Sequence, residues 1–349
     1  MKLTFVVSSG RAGSTLLSHL LARHPEVLSL SEFYTVLKGS MHRTPYPGDD
    51  MDGARLWRIL TAPDALSDAL VRHGLNAEEM LYPYESGRFG PAAGIPAICH
   101  STLPMLSPDP DALFDELAAE VPRWPVRAAA DQYRAFFGYL AQRLGRTVAV
   151  ERSGGSLFAI RLLSQEFPEA RFVHMYRDSP DCALSLSRLP LFRFGALVYQ
   201  AAEEAGLPGS AWWEDIQAAL PERYAGLLSP PYDLTRLDEF DPGLAFFGEW
   251  WSSMICTGVQ LLGELPLDRW DTLRYADLMA DPDAELTRLA AFLGVAAPPD
   301  WLATARRLVD TSRGGKAARL DPAAAAELAK SCQPGLDALV DQARLRAAG

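Results

Sequence analysis

The sequence predicts an α/β fold of three layers, in which helices cover both faces of a central parallel sheet and mostly helical insertions interrupt the core. Short β-branched apolar runs at residues 3–8, 147–151 and 171–176 alternate with stretches whose apolar residues recur at helical spacing. This alternation favours parallel pairing, because each parallel connection has to cross back over the sheet. Residues 40–127 and 190–242 are richer in proline, glycine and aromatic residues, which predicts two insertions that together form a cap.

The remaining elements follow from local patterns. Leu17, Leu20 and Leu21 share one helical face after the first strand, and Gly294 is suited to end a later helix. The predicted helices lie at 14–23, 128–144, 155–166, 243–264 and 283–293, a further strand lies around 273–275, and an alanine-rich helix follows a polar loop near 310–320. We predict that residues 1–349 form a single domain.

Composition and charge exclude several classes of protein. Hydrophobic residues make up 48% and charged residues 22% of the 349, which is ordinary globular usage. The net charge of −11 argues against a nucleic-acid partner, because such a partner requires a basic surface. No apolar stretch approaches the ~20 residues of a membrane span, and no signal peptide is apparent. We therefore expect a cytoplasmic protein whose four separated cysteines are reduced.

The segment from Ser8 to Thr15 predicts an anion site. It joins the first strand to the first helix, so its backbone N–H groups and the positive end of the helix can converge on a phosphate or sulfate. The nucleotide-hydrolase loop requires a lysine before its final serine or threonine, and this segment has none; its cation is Arg11. Taken alone, the segment is equally compatible with an ordinary glycine turn that carries a solvent-exposed arginine.

A longer pattern extends this segment. The run from Gly10 to Leu17, followed by His24-Pro25-Glu26-Val27 and by Ser31-Glu32, resembles the 5′-phosphosulfate loop of sulfotransferases that use 3′-phosphoadenosine 5′-phosphosulfate (PAPS). It is most similar to the branch that includes carbohydrate and protein-tyrosine sulfotransferases. The resemblance implies a P-loop-like fold, PAPS as co-substrate without a metal, and a donor-binding loop made of Gly10, Arg11, Ala12, Gly13, Ser14 and Thr15. Ala12 replaces the serine usual in the family.

A second motif begins at Arg177, at the end of the strand at 171–176. Pro180 fits the first turn of a following helix, which places Ser185 two turns along it. An arginine and a hydroxyl in this arrangement can bind a phosphate dianion by charge-assisted hydrogen bonds. The pair resembles the 3′-phosphate motif of sulfotransferases, although an arginine that pairs with a nearby aspartate is the commoner meaning of such a segment in isolation.

Three further segments are similar to the family. Arg152 stands where related enzymes carry a basic residue near the sulfuryl group, usually a lysine. Tyr275 lies in a segment similar to the one whose tyrosine approaches the adenine. Arg313, Gly314 and Lys316 resemble, more weakly, the late glycine loop that closes over the 3′-phosphate.

The resemblance also implies catalytic roles. Glu32 stands at the position of the general base in this branch, and Arg11 and Arg152 would stabilise the oxygens of the migrating group. His100 is the rival base, because Cys99-His100-Ser101-Thr102-Leu103-Pro104 is faintly similar to a histidine segment of small-molecule sulfotransferases. We prefer Glu32.

We therefore predict a PAPS-dependent O-sulfotransferase that acts on a hydroxyl of a small molecule, glycolipid or natural product. Two alternatives stay open. One is a P-loop kinase that uses ATP, against which the missing loop lysine argues. The other is a nucleotide-binding homologue without activity, against which an intact Glu32 argues.

Overall fold

The chain divides into two units. The structure is a computed structural model that describes residues 1–35, 49–75, 80–177, 180–207, 213–309 and 317–348. The first unit comprises Met1–Thr35, Tyr133–Ser185 and Leu244–Gly349, and the second comprises Val36–Gln132 and Leu186–Gly243. The second unit thus draws on the two regions that the sequence marks as insertions. Their role as a cap stays a prediction.

A parallel sheet lies at the centre of the first unit. The strands of the described residues are β1 (Lys2–Val7), β2 (Val27–Ser31), β3 (Asp50–Met51), β4 (Arg127–Ala128), β5 (Val148–Ser153), β6 (Arg171–Tyr176) and β7 (Trp270–Arg274). Five of them pair in the order β2-β5-β1-β6-β7, and every pair is parallel. The short strands β3 and β4 form an antiparallel pair in the second unit.

Helices make up most of the remaining described residues. They are α1 (Ser14–Ala22), α2 (Gly53–Thr61), α3 (Ala65–Arg72), α4 (Thr102–Leu106), α5 (Pro110–Glu120), α6 (Ala129–Arg143), α7 (Ile160–Glu166), α8 (Pro180–Ser187), α9 (Pro190–Glu204), α10 (Trp213–Ala218), α11 (Gly243–Gly263), α12 (Tyr275–Ala280), α13 (Pro282–Leu293), α14 (Pro299–Leu308) and α15 (Pro322–Ala348). No helix within the described ranges combines the length and the apolar character needed to cross a membrane.

Helices cover both faces of the sheet. On one face Val6 and Val173 share a buried cluster with Leu17 of α1, Leu289 of α13 and Trp301 of α14. The continuous burial of β1 after its first residue is typical of a strand covered on both sides.

The opposite face is aromatic. The ring of Phe5 lies 5.4 Å from that of Phe167 and 5.7 Å from that of Phe172. On the same face His174 of β6 is hydrogen-bonded to Gln342 of α15 at 2.9 Å. The predicted three-layer fold with a central parallel sheet is therefore confirmed.

Most element boundaries agree with the sequence within a few residues. The strand predicted at 171–176 is observed at those residues, but β5 continues to Ser153 and β7 begins already at Trp270. The sequence did not predict β2, which is the edge strand beside β5. Its five residues are all buried, so neither a helical period nor an exposed face marks it.

The second unit has its own core. Phe194 and Leu197 of α9 pack with Leu70 of α3, and with Tyr224 and Leu228 of the segment after α10. This cluster links the two sequence-distant parts of the unit.

Candidate active site

The predicted site residues of the first unit lie where the parallel strands end. Arg11 follows β1, Glu32 follows β2, Arg152 lies near the end of β5, Arg177 follows β6 and Tyr275 follows β7. Because parallel strands bring their carboxyl ends to one edge of the sheet, these residues converge although they are distant in sequence.

The loop between β1 and α1 belongs to the segment from Ser8 to Thr15 that the sequence predicts as an anion site, and it is called the anion loop below. Gly10, Arg11 and Gly13 have φ values of 82°, 54° and 88°. Gly13 precedes α1 and provides no side-chain cap, and the Leu17 N–H donates to the Gly13 carbonyl at 3.2 Å. The loop therefore leads directly into a helix start, where backbone N–H groups favour an anion. Ala12 and Ser14 are buried, whereas Thr15 is exposed.

The underside of this loop rests on α8. The Cys182 thiol donates to the Gly10 carbonyl at 3.4 Å and lies 3.7 Å from the Ser9 hydroxyl. Burial raises the pKa of Cys182 to about 11. Cys182 therefore supports the loop as a neutral thiol. The four cysteines are free, as predicted.

Arg11 contacts the second predicted motif. Its Nε donates to the Ser185 hydroxyl at 3.0 Å. Arg11 and Ser185 come from two motifs that the sequence related only by resemblance, and the fold brings them into direct contact.

Arg177 lies between an aromatic ring and a carboxylate. Its guanidinium carbon is 5.2 Å from the centre of the Tyr275 ring, and its Nη2 donates to Asp181 at 2.7 Å. The other Asp181 oxygen accepts the Ala317 N–H at 2.5 Å. The Tyr275 ring also packs against the anion loop, because a Cβ built on Gly13 would lie 2.3 Å from its Cδ2.

The late glycine loop that the sequence predicts cannot be placed on this site. Arg313, Gly314 and Lys316 lie outside the described residues.

An ion pair joins Glu32 to the buried Arg152. Arg152 is only 2% exposed, and its Nη1 donates to Glu32 Oε1. Its Nε donates to Ser18 at 2.7 Å and its Nη2 to Ser31 at 2.6 Å. Glu32 Oε2 accepts the Gly154 N–H at 3.0 Å.

Glu32 also lies beside the anion loop. Its side chain is 21% exposed, so Glu32 is less deeply buried than its partner Arg152. A Cβ built on Gly154 would lie 3.6 Å from both Glu32 Oε1 and Gly10 Cα, which shows how close the carboxylate comes to the loop.

Two non-glycine residues of the described chain have a left-handed backbone: Arg11 at φ 54° and Glu32 at φ 53°. This conformation costs about 1 kcal/mol or more for residues with a Cβ and persists where surrounding contacts enforce it. Both residues were singled out from the sequence for their chemistry.

A second carboxyl group, Glu151, lies beneath this site and was not predicted. Glu151 is 1% exposed, and burial raises its pKa to about 7. It accepts the Ser153 hydroxyl at 2.6 Å and the Tyr34 N–H at 3.0 Å. The sequence signal that could have identified Glu151 is its place directly after the apolar residues of β5.

The side chains of His100 and His24 make structural contacts. The rival base His100 is buried in the second unit, where its Nε2 contacts the Ile95 carbonyl at 3.2 Å, and burial lowers its pKa. His24 accepts the Glu26 N–H at 3.1 Å and its Nε2 lies 2.8 Å from the Ala296 carbonyl, which identifies Nε2 as the donor. Among the described residues, no three histidine, cysteine, aspartate or glutamate side chains form a group able to hold a metal ion.

The described residues of the site combine positive charge, backbone N–H donors and an aromatic ring. Arg11 and Arg177 provide positive charge, the start of α1 provides N–H donors, and Tyr275 provides a ring beside Arg177. Glu32 provides a partly exposed carboxylic side chain beside the loop.

The family model described as "Sulfotransferase family" matches residues 4–228. Among solved structures, the sulfotransferase domain of the Synechococcus PCC 7002 olefin synthase is 18% identical, with 97% of this chain and 94% of that one covered and a TM-score of 0.43. Sulfotransferase STF9 from Mycobacterium avium is 14% identical, with 97% and 76% covered and a TM-score of 0.45. No curated protein matches the chain.

Proposed function

Because the chain belongs to the sulfotransferase family, we propose that it transfers the sulfuryl group of PAPS to the hydroxyl of a small molecule, glycolipid or natural product. Adenosine 3′,5′-bisphosphate is the second product. The observation that carries the proposal is the convergence of Arg11, Ser185, Arg177 and Tyr275 around the anion loop. A cytoplasmic location stays a prediction of the sequence.

The donor is bound by three groups of residues. The backbone of Gly10–Thr15 and the start of α1 hold the 5′-phosphosulfate, since N–H groups at a helix start favour an anion. Arg177 and Ser185 hold the 3′-phosphate, and Tyr275 lies against the adenine. Arg177 pairs with Asp181, so donor binding has to compete with this ion pair. Arg313, Gly314 and Lys316 remain candidates to close over the 3′-phosphate.

Glu32 acts as general base. In the reaction the acceptor oxygen forms a bond to sulfur, the bond from sulfur to the bridging phosphate oxygen breaks, and the acceptor proton moves to Glu32. Glu32 Oε2 accepts one N–H, from Gly154, and a carboxylate oxygen has a second lone pair for the acceptor hydroxyl.

Positive charge stabilises the transition state. Arg11 neutralises charge on the sulfuryl oxygens and on the leaving phosphate, as fixed cations do in phosphoryl transfer. Arg152 is buried and already donates to Ser18, Ser31 and Glu32. Its charge therefore acts from beneath the Glu32 carboxylate and holds that carboxylate in place.

Calorimetric titration of the full chain with adenosine 3′,5′-bisphosphate tests the donor site. We expect tight binding without added metal, and a loss of about 10- to 100-fold in Arg177→Ala, because a charge-assisted contact to the 3′-phosphate is removed. Adenosine 5′-phosphosulfate lacks that phosphate and should bind both proteins alike. Arg161→Ala is the matched control, since Arg161 is also ion-paired, to Glu264, but its side chain is exposed on the surface of α7.

Other outcomes would contradict the proposal. Binding of ATP with Mg²⁺ in preference to the bisphosphate would favour a kinase. Tight bisphosphate binding without transfer from labelled PAPS to 2-naphthol or octyl glucoside, as phenol and glycolipid probes, would favour a silent homologue.

A further inference from the structure

Glu32 occupies the position directly before a helical turn. Residues 33–35 are helical, so Glu32 is the residue whose side chain would ordinarily cap the free N–H groups of that turn. Its carboxylate instead contacts Arg152 and the Gly154 N–H. Its φ of 53° also differs from the extended backbone usual at this position.

The caps come from β5 instead. Tyr34 and Thr35 are the second and third residues of the turn, whose N–H groups a cap normally satisfies. The Tyr34 N–H donates to Glu151 Oε1 at 3.0 Å, and the Thr35 N–H donates to the Ser153 hydroxyl at 3.1 Å. Ser153 donates its own proton to Glu151 Oε1 at 2.6 Å, so Glu151 also orients the hydroxyl that caps Thr35.

The geometry of β5 places the residues that cap the turn and the residue that binds the Glu32 carboxylate on opposite faces of the strand. Because successive side chains of a strand point to opposite faces, Glu151 and Ser153 lie on one face of β5 and Arg152 on the other. The first two cap the turn, while Arg152 holds the Glu32 carboxylate. The Glu32 N–H also donates to the Arg152 carbonyl at 2.6 Å. Residues of β5 thus contact the Glu32 carboxylate, the Glu32 N–H and the turn that follows Glu32.

We propose that Glu151, together with the Ser153 hydroxyl, is a positioning residue that caps the turn at 33–35 and thereby frees the Glu32 carboxylate to face the site. The catalytic part rests on the proposed role of Glu32 as base. The capping role concerns hydrogen bonds to the backbone N–H groups of Tyr34 and Thr35, so it is testable without any substrate.

Amide hydrogen exchange on the full chain tests the capping role. Glu151→Ala and the milder Ser153→Ala should each accelerate exchange at Tyr34 or Thr35 by about tenfold or more, because the N–H loses its buried acceptor. Glu151→Gln retains an amide oxygen that accepts both bonds and should keep the wild-type protection. Unchanged exchange in Glu151→Ala and Ser153→Ala would overturn the proposal, whatever reaction the protein catalyses.

Steady-state kinetics with PAPS and 2-naphthol test the catalytic consequence. We expect kcat of Glu151→Ala to fall by about 10- to 100-fold through misplacement of the base, with KM for PAPS within about twofold. Glu151→Gln should restore most of kcat. Gln342→Ala is the control, because it removes another buried hydrogen bond of this unit, to His174, and should leave kcat and the exchange of Tyr34 and Thr35 unchanged.

Two kinetic results would overturn the proposal. In one, Glu151→Gln is as slow as Glu151→Ala. The fall in kcat would then come from the loss of the Glu151 charge and not from the loss of its hydrogen bonds. In the other, KM for PAPS rises while kcat is kept. If the wild-type protein does not transfer the sulfuryl group to 2-naphthol, the result contradicts the proposed function. The amide exchange of Tyr34 and Thr35 then still tests the capping role.

Discussion

Glu151→Gln should stabilise the protein at alkaline pH. The Glu151 carboxyl is 1% exposed, and burial raises its pKa from 4.5 to about 7. Glutamine has the same shape, and its amide oxygen can accept the Tyr34 N–H and the Ser153 hydroxyl that Glu151 Oε1 accepts. The substitution therefore keeps both hydrogen bonds and removes the buried negative charge.

The magnitude follows from the pKa shift. A folded-state pKa above the unfolded value means that the native protein binds the proton more tightly, so stability falls as pH rises from 4.5 through 7. The shift from 4.5 to about 7 corresponds at most to about 3 kcal/mol at 1.36 kcal/mol per pKa unit. The difference in unfolding free energy between the variant and the wild type should thus be near zero below pH 4.5 and approach this value at pH 8.

Urea unfolding of both proteins at pH 4.5 and pH 8 measures this difference. Burial also raises the pKa of Asp68 to about 6, which makes stability fall with rising pH in a similar way. This contribution is the same in both proteins and cancels in the difference. Glu169→Gln, followed down to pH 3, is the control of opposite sign. Arg134 lowers the pKa of Glu169 from 4.5, so its contribution is present at pH 8 and is lost only as pH falls below 4.5. A Glu151→Gln variant that is no more stable than the wild type at pH 8 would refute the reasoning.

Two further substitutions test the site. Glu32→Gln should lower kcat by about 100- to 10,000-fold while calorimetry shows bisphosphate binding retained, and wild-type turnover would move the base role to another group, with His100→Ala tested next. Gly13→Ala should reduce bisphosphate affinity and melting temperature more than Gly145→Ala does. Both glycines have a left-handed φ, but the new Cβ at Gly13 meets the Tyr275 ring at 2.3 Å, whereas nothing lies within 4 Å at Gly145. Equal effects of the two would show that the ring contact is unimportant.

The sequence predicted the elements that have a local signal. The helices of the core show their period directly, and β1 and β6 are apolar runs between turn residues. The edge strand β2 was missed because it is short and buried throughout. Its pairing with β5 joins residues more than a hundred positions apart, which no local pattern encodes.

The site was predicted as separate motifs. The contact between Arg11 and Ser185 fits the two motifs that the sequence had related by resemblance. The pairing of Arg177 with Asp181 was the alternative meaning of its motif, and the structure contains that pair beside the Tyr275 ring. The roles of these residues toward PAPS stay predictions.

By itself the sequence determined the central fold class, the anion loop and the residue types of the site, because helical period, strand alternation and loop motifs are properties of neighbouring residues. Only the tertiary structure decided that Glu151 is buried, that it caps the turn after Glu32 and that Arg152 holds the Glu32 carboxylate. The physical reason is that burial and hydrogen bonding in these contacts depend on which strands pair. The Tyr34 N–H and the Glu151 carboxylate are 117 residues apart in the chain and meet only once β2 has joined β5.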